Sequence, residues 1–129
     1  MLNIYQEELI DHYKHPRNYG QLENPTITTV EHNPSCGDSV QFFIMVNDHH
    51  INAIKFMGKG CVISLATASI VTEYSIGKTL QEILLLQQDD ILRLIGIHLG
   101  PTRLKCALLP LMALQKGVKE FCARQIQTA

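Results

Sequence analysis

The sequence lacks an excess of charge of either sign: eleven basic and twelve acidic residues leave a formal charge of −1. That excludes the broad electrostatic footprint that nucleic acid or an anionic membrane needs, so neither is expected as a partner. Long apolar runs are missing too. The longest, around Ile83–Leu86 and Ile91–Leu99, are broken by Gln, Asp, Arg and His and are too short to span a bilayer. The start, from Met1 to Glu8, has neither a basic region nor an apolar one of the kind that directs export, so a cytoplasmic location is expected. Repeats, low-complexity tracts and linkers are absent, which makes residues 1–129 one expected domain. With 46% hydrophobic and 18% charged residues, the composition is that of a globular chain with a real core, without a signature of disorder.

The periodicity present predicts an α+β fold. Residues 3–14 read as an amphipathic helix with Asn3 and Gln6 in a capping box and Pro16 forcing its end. Three strand-like runs follow: Thr26–His32, the alternating Val40–Asn47, and Ile51–Met57 after the turn Asn47-Asp48-His49-His50. Short connections predict a three-stranded antiparallel meander with helices on one face. Ile63, Ala66, Thr67, Ile70, Val71 and Tyr74 then mark a helical face that ends at Gly77. Thr79 and Glu82 cap a helix carrying Leu80, Ile83, Leu84 and Leu86, and Asp89 or Asp90 starts a short helix to about Ile95. Thr102 is expected to cap a last helix that ends near Cys122, with Pro110 bending it beside Cys106.

Four cysteines without an export signal suit metal binding, redox chemistry or packing better than a disulfide framework. Three sit at element junctions. Cys36 and Asp38 share the loop Asn33-Pro34-Ser35-Cys36-Gly37-Asp38, Cys61 follows Gly58-Lys59-Gly60, and Cys106 follows Arg103-Leu104-Lys105. Asp38 suits either a ligand or a loop residue capping its own backbone. Cysteines at helix starts are expected to have lowered pKa values, because unpaired N–H groups and the dipole favour the thiolate. Cys36, Asp38, Cys61 and Cys106 together would form a three-sulfur, one-oxygen set fit for Zn²⁺ or one side of an iron–sulfur cluster. Cys122, in the apolar stripe of the last helix, reads as packing. His12 with His15 and the pair His49-His50 also raise metal binding, but a helix end with favourable cations and a solvated hairpin tip account for them.

Four ordered stretches carry a resemblance: Tyr5–Asn18, Asn33–Asp38, Gly58–Ser64 and Arg103–Ala107. Together they resemble the iron–sulfur cluster assembly proteins of the SufU/IscU type, including the N-terminal part of NifU, from about Tyr5 to about Leu114. The resemblance implies a protein that works with a cysteine desulfurase. It implies persulfide acceptance at Cys36, as in SufU-like members, or at Cys106, as in IscU-like ones. It also implies Zn²⁺ or a nascent [2Fe–2S] cluster on Cys36, Asp38, Cys61 and Cys106, later passed to a carrier or an apo-protein.

The chain mixes the two subtypes. Lys105 stands where IscU-like proteins carry His; an ammonium does not ligate iron, so Lys105 reads as a stabiliser of a nearby thiolate or persulfide. The span from Cys61 to Cys106 is short, as in IscU. Leu99-Gly100-Pro101-Thr102-Arg103 replaces the Leu-Pro-Pro-Val-Lys segment that a dedicated Hsp70 chaperone binds in IscU. The expected functions are therefore a cluster scaffold that accepts persulfide sulfur, a zinc-dependent sulfurtransferase acting as co-substrate of a desulfurase, and, more remotely, a structural zinc domain that binds a partner.

Overall fold

A computed structural model describes residues 3–34 and 37–128, and side chains as far as residue 126. The elements are α1 (Ile4–Lys14), β1 (Ile27–Asn33), β2 (Asp38–Asn47), β3 (His50–Lys59), α2 (Val62–Ser75), α3 (Leu80–Leu84), α4 (Gln88–Ile95) and α5 (Pro101–Thr128). The three strands form one antiparallel sheet in the order β1-β2-β3, as the alternating pattern predicts. Asp48 and His49 make the hairpin turn with φ of 52° and 62°, the doubly left-handed geometry whose twist matches the flanking strands. The turn is docked as well as solvated, since His49 O accepts the N–H of Leu80 at the start of α3.

A bulge sets the inward face of β3. Val46 pairs with Ile51 and Met45 with Ala53, so Asn52 is the extra residue. Three positions apart, Ile51 and Ile54 would otherwise face opposite sides; the bulge buries both. They join Val40, Phe42, Ile44 and Phe56 beneath α2 and α5, where Val71, Leu109, Leu114 and Val118 complete the main core. Cys122 is half-buried against this core, whereas Cys106 belongs to a second apolar cluster.

Several helix boundaries differ from the sequence expectation for physical reasons. Helix α5 begins at Pro101, and Gly100 O accepts the N–H of Leu104. Proline suits a first helical position because its missing N–H would have no partner there, so Thr102 is not the cap. The helix continues past Cys122 to Thr128, because Ala123, Arg124 and Gln125 are good helix formers and no breaker follows. Pro110 lies within it and leaves the Cys106 carbonyl without that N–H donor. Helix α4 is capped at Gln87, whose N–H donates to Asp90 Oδ2 at 2.8 Å, rather than at Asp89 or Asp90. Helix α3 stops before Leu86.

The exit of α1 is pinned to α2. The Arg17 N–H donates to Ser69 Oγ at 2.8 Å, and His12 Nδ1 lies 2.7 Å from the same oxygen. With one donor already received, Ser69 can direct its own hydrogen at Nδ1, which leaves the ring proton on Nε2, 3.4 Å from Glu73 Oε1. His12 is thus a docking residue, and His15 does not join it in a ligand set among the described residues. Burial, followed by the Arg17 charge, lowers the His12 pKa below its ordinary value against the pull of Glu73, Asp11 and Glu8. A histidine depressed in the folded state contributes stability above its unfolded pKa of about 6.5 and loses it as pH falls through the folded value. Denaturant midpoints of wild-type and His12→Gln protein should therefore differ most above about pH 6.5 and converge in acid. A difference that grows toward low pH would contradict the neutral-ring assignment.

Candidate metal and cluster site

The site forms where the start of β2 meets the end of β3. Ser39 pairs with Lys59 and Val40 with Gly58, which sets Asp38 beside Gly60 and Cys61. Both glycines are required by contact. A Cβ on Gly58 would lie 2.5 Å from Ser39 O. One on Gly60 would come within 3.0 Å of the Asp38 carboxylate. The turn before β2 is closed by the Gly37 N–H donating to Asn33 O at 2.8 Å, with Gly37 at φ +74°.

Cys61 is the N-cap residue of α2, with extended backbone and an exposed side chain. Cys106 arrives from the second turn of α5, and its side chain is buried. Asp38, Cys61 and Cys106 bring one ligand atom each to within 4.8 Å of one another. The Cys61 thiol is 3.9 Å from Asp38 Oδ2 and 3.7 Å from Ser64 Oγ. Asp38 is only 4% exposed, a depth at which a carboxylate calls for a cation or strong donors. Two soft sulfurs with one carboxylate oxygen suit Zn²⁺ or iron and not the all-oxygen shells of Mg²⁺ or Ca²⁺. The residues present therefore fit a thiophilic metal. Cys36, the fourth expected ligand, lies outside the described residues.

One expectation is corrected. The Cys106 thiol is pushed well above its ordinary range, first by burial and then by Cys61 and Asp38, instead of being lowered by a helix start. It sits beyond the first turn, where the dipole effect has faded, and it faces two other acidic groups in a low-dielectric corner. A metal that binds here must displace that proton, so uptake releases acid and weakens as pH falls.

Asp38, Cys61 and Cys106 open onto a cavity of about 770 Å³ lined also by Gly37, Gly60, Val62, Ile63, Thr102 and Arg103. Arg103 is the cation of that lining, whereas Lys105 is exposed and lines a separate hollow of about 300 Å³ with His32, Asn33, Pro34, Leu109 and Met112. The two hollows share the β1–β2 connection, Gly37 lining one and Pro34 the other. Sequence reasoning gave no role at the site to Thr102, Arg103 or Ser64. Ser64 was within reach, because it lies three residues after an N-cap, where a side chain folds back on the helix start.

Comparison with known proteins agrees with this architecture. The NifU-like N terminal domain family matches residues 4–128. The chain is 35% identical to the zinc-dependent sulfurtransferase SufU of Bacillus subtilis, over 89% of each chain. It is also 35% identical to the iron-sulfur cluster assembly scaffold protein IscU of Aquifex aeolicus, over 94% of this chain and 78% of that one. Among solved structures, a proposed iron-sulfur cluster assembly scaffold protein for the SUF system from Fervidobacterium islandicum superposes with a TM-score of 0.75 at 30% identity, covering 87% of this chain and 94% of that one. The protein belongs to the NifU-like N terminal domain family.

Proposed function

We propose that the protein accepts persulfide sulfur from a cysteine desulfurase and is the platform on which a [2Fe–2S] cluster is assembled and from which it is released. The observation that carries this reading is the convergence of Asp38, Cys61 and Cys106 within 4.8 Å at an open cavity of about 770 Å³. A structural zinc site would be closed around its ion. This one leaves space for a diiron unit to enter and leave, and its carboxylate is the ligand most readily exchanged. The scaffold IscU and the sulfurtransferase SufU among its relatives support the same process. Reduced thiols suit a cytoplasmic setting.

Sulfur delivery follows thiol chemistry. A Cys36 thiolate attacks the terminal sulfur of the desulfurase persulfide; the new S–S bond forms as the old one breaks, and the desulfurase cysteine leaves as thiolate. Cys106 is the alternative acceptor, but its buried and raised thiol favours Cys36 for the first step. Lys105 lines the same hollow as Pro34, which supports a role for its ammonium in stabilising an anionic sulfur. From the platform the cluster passes to a carrier or an apo-protein.

A zinc-dependent sulfur relay is the second reading, favoured by Lys105 ahead of Cys106 and by the similarity to SufU. Bound at Asp38, Cys61 and Cys106, Zn²⁺ would supply charge that keeps the thiols ionised. The structural zinc domain is disfavoured because Phe42, Phe56, Ile54 and Leu114 fill a core that does not use the ligands.

The deciding experiment combines turnover of a cysteine desulfurase, with zinc-loaded or metal-stripped protein added, and anaerobic reconstitution with iron. The scaffold reading predicts a visible cluster spectrum that is lost in Cys36→Ala, Cys61→Ala and Cys106→Ala. Zinc-dependent stimulation lost in Cys36→Ala, without a cluster, would establish the relay instead. Absence of both would end either reading. Separately, chelation should leave far-UV circular dichroism and a cooperative thermal transition intact. Unfolding on metal removal would restore the structural zinc domain.

A further inference from the structure

The Ser64 hydroxyl is fully buried and lies against the site. It donates to Cys61 O at 3.2 Å and receives the Cys61 thiol at 3.7 Å. A Cβ on Gly60 would fall 2.4 Å from Ser64 Oγ, so glycine at 60 is what makes room for the hydroxyl beside the ligand. The Cys61 carbonyl has a second donor, the Leu65 N–H at 3.2 Å. Ser64 can therefore turn its hydrogen away from that carbonyl without leaving it unpaired.

We propose that Ser64 is a positioning residue that donates a hydrogen bond to the Cys61 sulfur once that sulfur has lost its proton to a metal or cluster. The inference rests on the platform reading of the site. Ionisation reverses the polarity of the contact: the thiol, whose one hydrogen has Ser64 and Asp38 as acceptors, becomes an acceptor itself, and the Ser64 hydroxyl is the donor that turns to it. Such outer partners fix ligand orientation and tune a bound cluster. Among the described members of the set Cys61 is the exposed one, so this bond is what holds it as the fixed ligand while the carboxylate exchanges.

The test compares Ser64→Ala with Ser75→Ala. Ser75 is an equally buried serine of α2 whose hydroxyl donates to Val71 O at 2.7 Å, outside the residues that form the site. Zinc affinity is read by competition with a chromophoric chelator, and the reduction potential is read on the reconstituted cluster. Ser64→Ala should weaken zinc binding about ten- to hundredfold and shift the potential downward, because a lost donor destabilises the more negative reduced state. Ser75→Ala should change neither. Should the alanine variant not fold, Ser64→Thr keeps the hydroxyl donor without adding a metal ligand and should hold both readouts near the wild-type values, and a tenfold loss there would count against the role. Unchanged affinity and potential in Ser64→Ala, or equal losses in the Ser75 variant, would overturn the role of Ser64. Wild-type protein that binds neither zinc nor cluster would overturn the platform reading itself, and the inference with it.

Discussion

The site depends on one close approach, that of the first residue of β2 to the last turn of backbone before α2. Gly58 lets β3 run against Ser39, and Gly60 lets the chain pass between the Asp38 carboxylate and the Ser64 hydroxyl. Antiparallel pairing then places Asp38 and Cys61 together although they are distant in sequence. Cys106 is brought in from the opposite side by packing. Its neighbour Ala107 is buried with Leu9, Ile63, Ala66 and Ile95, so the helix carrying the last ligand is positioned by an apolar cluster and not by the metal. Strand pairing and helix packing thus set the positions of these three side chains independently of an ion.

The same closeness creates an electrostatic load. Two thiols and a carboxylate share a corner in which Asp38 is 4% exposed and Cys106 is 5% exposed. Burial, followed by the neighbouring Cys61 and Asp38, opposes ionisation of the Cys106 thiol. A divalent metal or a diiron unit relieves that load. Arg103 lines the cavity wall and offers the nearby positive charge, while Lys105 lines the other hollow with Pro34.

Much of this was legible in the sequence, for reasons particular residues make clear. The alternation through Val40, Phe42 and Ile44 gave the meander, and the Asn3–Gln6 and Thr79–Glu82 capping boxes were both found as read. Cys61 and Cys106 were identified by their glycine-flanked and cation-flanked settings, and they do converge with Asp38. What was hidden depended on tertiary contact. The bulge at Asn52 leaves no local mark, and the docking of His12 on Ser69 joins residues 57 apart in sequence. The raised pKa of Cys106 could not be read from a helix start, because it comes from depth and from neighbours on other elements. The separation of Lys105 from the cavity has the same origin: next to Cys106 in sequence, it projects from another face of α5.

The central claim is that Asp38, Cys61 and Cys106 ligate one metal centre together with Cys36. X-ray absorption at the zinc edge of the loaded protein tests it most directly. The account predicts a four-coordinate shell of three sulfurs at about 2.3 Å and one oxygen at about 2.0–2.2 Å, with one sulfur lost in Cys61→Ala. A shell of nitrogen and oxygen alone, or one indifferent to that substitution, would contradict it.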